Sequence, residues 1–234
     1  MKKGKRYTAL LKKYDKKKEF ALQEAVKVIK DLKSAKFDET LEVHIRLGID
    51  PKKSDQMVRG SVNLPYGTGR KVKVLVFAEG EKAKEAEGAG AEYVGADDLI
   101  KKIKEGWLDA DVVVATPDMM PKIGQLGRIL GTKGLMPSPK NGTVTKDIGK
   151  TVEALKKGKI SFRVDKTGVI HAPIGKVSFE EKKLYENAKE FIKEIQRVKP
   201  SSSKGDYIKS VYLTTTMGPS VKISMSDIKQ NVLK

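Results

Sequence analysis

Cysteine is absent from the 234-residue sequence. That excludes disulfides, zinc–thiolate sites and thiol nucleophiles. Histidine occurs only twice, as His44 and His171, so a histidine-rich metal centre is excluded too, and neither metal nor cofactor is expected. Aromatic residues make up 6% of the chain and are scattered, which argues against a sheet that stacks single-stranded bases on exposed rings. No apolar run approaches the roughly 18–20 residues a membrane-spanning helix needs, and no membrane partner is expected. The glycine-rich fingerprints of nucleotide-binding loops and the G-x-S-x-G elbow of hydrolases are also missing, which weighs against an enzyme.

What the chain has in excess is positive charge. It holds 48 Lys+Arg against 30 Asp+Glu, a formal net of +18, with a pI near 9.7. Such a balance implies a polyanionic partner. The first stretch, MKKGKRYTALLKKYDKKK, has nine basic residues and one acid. It lacks the apolar centre of a signal peptide and predicts a cytoplasmic protein with a basic, mobile arm. Charged residues at 33% and the missing cysteine hint at a thermophilic source.

Hydrophobic rhythm divides the chain. Residues 19–35 read as a helix with Leu22, Val26, Ile29 and Leu32 on one face. From Leu41 to Ile49 apolar and polar residues alternate, the pattern of a strand in a sheet covered on one side. Val58–Leu64 alternates in the same way, and Pro65–Gly69 looks like a hinge. Between 68 and 159 the rhythm changes. Val72–Phe77 and Asp111–Ala115 are near-continuous apolar runs, and helical stretches (81–87, 97–105, 121–130, 147–157) separate or follow them, as in a doubly wound α/β domain. After 160 alternation returns: Ile160–Val164, a hairpin turn at Asp165–Gly168, a return strand Val169–Ala172, a helix at 179–198 and a last strand Ile208–Met217. The expectation is an α/β (α+β) protein of two domains, with 1–67 and 160–234 forming one discontinuous domain and 68–159 inserted into it. The inserted part carries net charge +4 and the ends +14, so the composite domain is the expected binding module.

Alternation also names a candidate face. Thr40, Glu42, His44 and Arg46 point outward from the first strand, and Ser210, Tyr212, Thr214 and Thr216 from the last, followed by Met217-Gly218-Pro219. Arg163, Asp165, Lys166 and Thr167 lie at the hairpin tip. Short hydroxyls flanked by Lys and Arg suit the 2′-OH and phosphate groups of structured RNA. On pattern alone the Thr run reads more readily as β-propensity, and Met217-Gly218-Pro219 more readily as a plain strand terminator. Phe37 is expected in the core. One segment keeps two readings: Ile123–Lys140, with four glycines, two prolines, three basic residues and no acid, is either a phosphate-accepting loop or a structural one. Its glycines and prolines predict repeated turning rather than regular structure.

Four segments, KFDETLEVHIRLGIDPKKSDQMVRGSVNLPYGTG, IGQLGRILGTKGLMPSPK, DKTGVIHAPIGK and SVYLTTTMGPSVKI, occur in an order that resembles the bacterial type of the large-subunit ribosomal protein L-one family, the family of the mobile side stalk. The resemblance covers nearly the whole chain. It implies a split β-α-β domain formed by both chain ends, an inserted Rossmann-like domain, and a protein that is a monomer when free. It further implies binding to stalk rRNA of the large subunit, assistance to movement and release of exit-site tRNA, and repression of its own operon through the operon mRNA. The matching RNA-contacting positions are Lys36, Phe37, Thr40 and Glu42; Arg163, Asp165, Lys166, Thr167 and Gly168; and Ser210, Thr214, Thr216, Met217 and Gly218. A DNA-binding regulator is the remaining alternative, but no helix-turn-helix or zinc pattern supports it.

Overall fold

The computed structural model describes residues 4–233. In chain order its main elements begin with α1 (Lys5–Leu11), α2 (Leu22–Asp31), β1 (Thr40–Leu47) and β2 (Arg59–Asn63). Then follow β3 (Val74–Phe77), α3 (Glu81–Gly88), β4 (Tyr93–Gly95), α4 (Asp97–Lys104), β5 (Val112–Ala115), α5 (Met120–Ile123), α6 (Gly127–Thr132) and α7 (Ile148–Lys157). The chain closes with β6 (Lys159–Arg163), β7 (Val169–Lys176), α8 (Glu181–Arg197), β8 (Ile208–Thr215) and β9 (Val221–Ile223). The protein is thus mixed α/β. It divides into two compact units, one made of the chain up to Gly69 together with Ile160 onward, the other of Arg70–Lys159.

The first unit is built on a four-stranded sheet in the order β7-β1-β8-β9, antiparallel at every pairing. In β1, Leu41, Val43, Ile45 and Leu47 are buried while Thr40, Glu42, His44 and Arg46 stay partly or fully exposed. The same parity holds in β8, where Val211, Leu213 and Thr215 face inward. Helices α2 and α8 cover the inner face. Their buried stripes, Leu22, Ala25, Val26 and Ile29 on α2 and Leu184, Ala188, Phe191, Ile192 and Ile195 on α8, recur at helical spacing. Each such leucine, isoleucine, valine or phenylalanine side chain contributes roughly 1.5–3 kcal/mol when fully buried. With both helices on one side, the opposite sheet face is left open.

Three expectations for this unit need correction. The basic N-terminal segment is not a mobile arm over its described length: it forms α1, buries Leu10, and donates the Tyr14 hydroxyl to Ser220 O at 2.9 Å. Residues Lys2 and Lys3 of that stretch lie outside the described residues. The predicted hairpin around Asp165–Gly168 is a local turn only, because its two strands join different sheets. β6 pairs with β2 in a two-stranded sheet, while β7 pairs with β1. The α2 helix is also shorter than 19–35, because Phe20 is drawn into a bridge with Ile223.

The second unit holds a parallel three-stranded sheet in the order β4-β3-β5. All four residues of β3 are buried, as expected for a strand covered on both faces. One core, around Leu75, Phe77 and Val113, packs on one side with α4–α6, and the other, around Val74, Val76 and Val114, on the opposite side with α3 and α7. Trp107 packs edge-on against Tyr93, with ring centroids 4.8 Å apart. The Gly/Pro-rich segment departs from the expectation of repeated turning and follows the helical reading of 121–130 instead. Gly124 and Gly127 take right-handed helical dihedrals, and the backbone stays helical to Thr132 in short successive turns. Only then does it leave regular structure, at Lys133 and Gly134 (φ 71°). Glycine there tolerates helix rather than preventing it, since Leu126 and Leu130 supply burial that outweighs its entropic cost. Arg128, Lys133 and Lys140 are exposed.

Candidate nucleic-acid interface

The predicted positions fall into two groups at opposite ends of the open sheet face. At one end stand Lys36, Phe37, Thr40, Glu42, Thr214, Thr216, Met217 and Gly218. At the other lie Ser210, opposite Arg46 in the β1–β8 register, and the turn residues Arg163 to Gly168. The eight residues of β1 separate them, a span of roughly 23 Å at about 3.3 Å per residue. The face is therefore a track rather than a pocket.

The first end is closed by reciprocal bonds. Thr40 N donates to Thr216 Oγ1 at 3.0 Å and Thr216 N donates to Thr40 O at 3.1 Å. Lys176 Nζ donates to Thr40 Oγ1 at 3.0 Å, which brings a cation to the same corner. The Thr214 hydroxyl reaches Thr215 O and Gly218 O at 3.2 and 3.3 Å. Gly218 has no room for a side chain, as an added Cβ would run into Thr215 Oγ1. Phe37 and Met217 project from this corner, 52% and 44% exposed. Phe37 is thus not a core residue as the sequence had suggested. Exposed apolar side chains among hydroxyls and lysines form a surface suited to a ribose or an unstacked base.

Behind the corner sits Glu39, which is fully buried. Its Oε1 accepts Ser34 N and Ala35 N at 3.3 and 3.1 Å, and its Oε2 accepts Met217 N at 3.0 Å. Burial alone would raise this carboxyl. The donated bonds from Met217, Ala35 and Ser34 outweigh it, and the acid is held below its ordinary value. The Thr215 hydroxyl faces the same carboxylate without full hydrogen-bond geometry. Sequence reasoning passed over Glu39. The signal was there: two residues before Leu41, it has the inward parity of the strand, where a charged residue is unexpected.

At the other end, Asp165 is consumed by its own turn. Its Oδ1 accepts Thr167 N and Val169 N, each at 2.8 Å, and the Thr167 hydroxyl lies 2.7 Å away. Burial works against the charge, but these donors win and hold the carboxyl down at about 2. Gly168, at φ 80°, completes the turn, and its carbonyl accepts Leu47 N at 2.8 Å. Lys166 and Arg163 remain exposed, Arg163 reaching Met57 Sδ at 3.7 Å.

Between the ends, His44 and His171 face each other across the β1–β7 register with Nδ1 atoms 2.7 Å apart. At that separation at most one Nδ1 can carry a proton. Burial first, then the neighbouring His171, hold His44 below its ordinary 6.5, against the opposing pull of Glu42. The folded state therefore favours neutral His44. Its contribution to stability is full above the unfolded-state value and falls as pH drops through that value toward the folded one. In an NMR titration His44 is expected to protonate below 6.5, and His171→Gln to move it upward. An unmoved His44 in the variant would show that the ring pair does not couple.

Two features had no counterpart in the sequence reading. Arg6 of α1 donates to Met217 O at 3.5 Å, and Lys222 of β9, opposite Tyr212, is paired at the sheet edge with Glu19 at 2.6 Å. Among the described residues no group of three or more His, Asp or Glu is placed to hold a metal, and no helix is long and apolar enough to cross a membrane.

The geometry defines the class: a basic α/β protein with an open antiparallel sheet face. Comparison with known proteins narrows it. A model of the "Ribosomal protein L1p/L10e family" matches residues 28–219. A protein of Thermus thermophilus named "Large ribosomal subunit protein uL1" is 56% identical over 222 residues, covering 94% of this chain and 97% of the relative. A protein of the same name from Persephonella marina is 55% identical over 235 residues, covering 99% and 97%. The chain belongs to the ribosomal protein L1p/L10e family, a family of structural, RNA-binding proteins and not of enzymes.

Proposed function

We propose that this protein is a constituent of the large ribosomal subunit that holds side-stalk rRNA on the open face of its four-stranded sheet. The observation that carries the reading is the corner where Phe37 and Met217 stand exposed among Thr40, Thr214 and Thr216, within a family of ribosomal proteins. The +18 charge supplies the long-range attraction to phosphate. The hydroxyls and the two apolar side chains supply discrimination by shape and 2′-OH. From this anchorage the protein assists movement and release of exit-site tRNA. The same face binds the protein's own operon mRNA and represses its translation, so rRNA and mRNA compete for one site. The composite unit, residues 1–67 plus 160–234, is the rRNA-binding domain in this reading.

The test is a titration of the full chain with a stalk-rRNA fragment, a scrambled RNA and a duplex DNA over a range of salt concentrations. Tight binding to the fragment, with its excess over the other two retained at high salt, is the expected result. Equal and steeply salt-dependent binding to all three would reduce the charge to a non-specific footprint and overturn the assignment. Preference for the duplex DNA would favour a DNA-binding regulator.

A further inference from the structure

We infer that Glu39 is a positioning residue for RNA recognition: its buried carboxylate fixes the Lys36–Phe37 loop and the Met217 turn relative to each other, so that the two exposed apolar side chains meet RNA as one preformed surface. The inference rests on the reading of this corner as the RNA site and goes one step beyond it, since Glu39 itself is withdrawn from solvent.

The argument begins with the order of residues. Lys36-Phe37-Asp38-Glu39 puts two carboxylates next to an exposed aromatic on a face meant for a polyanion, where free negative charge would repel the ligand. The structure engages both. Asp38 turns one way: its Oδ1 accepts Ser178 N at 3.1 Å and its Oδ2 accepts the Ser178 hydroxyl at 2.7 Å, tying the loop to the turn between β7 and α8. Glu39 turns the other way. Its two oxygens serve separate segments, Oε1 the loop leaving α2 through Ser34 N and Ala35 N, and Oε2 the turn leaving β8 through Met217 N. The loop that carries Phe37 is thus held at its start by Glu39 and at its end by Asp38.

The rest of the corner does not duplicate this link. The reciprocal Thr40–Thr216 bonds join β1 to the end of β8 but do not reach Ser34 or Ala35. Only a side chain that accepts at both ends can do so. Glutamine keeps the length but turns one end into a donor, which then opposes an N–H. Aspartate keeps the charge but is one methylene too short to span both segments. A loop freed at one end must be ordered when RNA binds, and that ordering is subtracted from affinity. The charge is also protected: the acid is held below its ordinary value by the N–H groups it accepts from, so the link survives mild acidification.

The test compares Glu39→Gln and Glu39→Asp in the full chain, alone and in a Phe37→Ala/Met217→Ala background, with stalk-rRNA fragment and scrambled RNA as probes. Binding is measured well below the unfolding temperature of each variant, which is determined in parallel. Glu39→Gln is expected to lose about tenfold in affinity for the stalk fragment, the cost of ordering a short loop, with scrambled RNA bound as before. In the double-alanine background the same change should cost little, because the side chains it positions are gone. An equal loss in both backgrounds, or a lower unfolding temperature with unchanged affinity, would make Glu39 merely structural and overturn the inference. If Phe37→Ala/Met217→Ala leaves stalk binding intact while the native chain still prefers that fragment, the corner is not the RNA site, and the reading on which the inference rests fails first.

Discussion

Met217→Ala is expected to weaken binding to a stalk-rRNA fragment by about 1–3 kcal/mol, the scale of an anchor residue in a recognition surface. The position allows a clean substitution. Its backbone is held from outside the side chain, by Glu39 accepting the N–H and Arg6 donating to the carbonyl, so truncation at Cβ removes the thioether and leaves the turn. Met217 is 44% exposed, and its flexible thioether side chain is well suited to moulding against a ribose or base. Since the lost contact is apolar, the loss should be the same factor at every salt concentration. Lys36→Gln should behave differently, lowering affinity for all RNAs and reducing the salt slope. Thr216→Ala combines two effects. It removes a hydroxyl from the face and also strips Thr40 N of its acceptor, so a stability loss of roughly 0.5–1.5 kcal/mol should accompany weaker binding. Affinity unchanged by Met217→Ala, measured by filter binding or calorimetry, would remove this residue from the site.

These residues were legible because the sheet has one buried face. Where Leu41, Val43, Ile45 and Leu47 must point inward, the parity of every intervening residue follows, and a slip of one position would expose the entire set. The same logic placed Ser210, Thr214 and Thr216 outward. The sequence was silent or misleading where a long-range contact decides. Lysines around α1 read as a solvated tail, yet Leu10 finds the core, and Phe20 pairs with β9 some two hundred residues along the chain. Asp165-Lys166-Thr167-Gly168 did form its turn. The turn fixes only local dihedrals, however, and the choice of β2 for β6 and of β1 for β7 is made by distant partners. Phe37 was assigned to the core on its residue type, and the structure leaves it exposed beside a loop that two carboxylates hold in place. Glu39 was hidden by the habit of expecting charge outside. Its parity said inward, and only the donors of two other segments make that tolerable.

Asn187→Ala is expected to destabilise the first unit by about 3 kcal/mol, through three hydrogen bonds lost at a fully buried site. Asn187 is fully buried on α8. Its Nδ2 donates to Gly67 O at 2.9 Å and to Ile174 O at 2.7 Å, and its Oδ1 accepts Tyr66 N at 3.1 Å. One amide thus pins the segment after β2 to the helix and to β7, and needs both a donor and an acceptor to do so. Asn187→Asp keeps the shape but aims a carboxylate at two carbonyl oxygens, leaving a buried charge unpaired, and should cost more, about 3–5 kcal/mol. Burial would raise the introduced acid's pKa above its unfolded value, so the neutral form regains ground on acidification and the deficit of Asn187→Asp should shrink as pH falls. Asn187→Ala has no such titration and should show a deficit independent of pH relative to the native chain. Urea unfolding followed by circular dichroism at about pH 7.5 and about pH 5 separates the two. Asn187 lies beneath the sheet, away from the open face. Below their unfolding transitions both variants should therefore bind the stalk fragment as the native chain does, whereas substitutions at Met217 and Phe37 should spare stability and lose RNA.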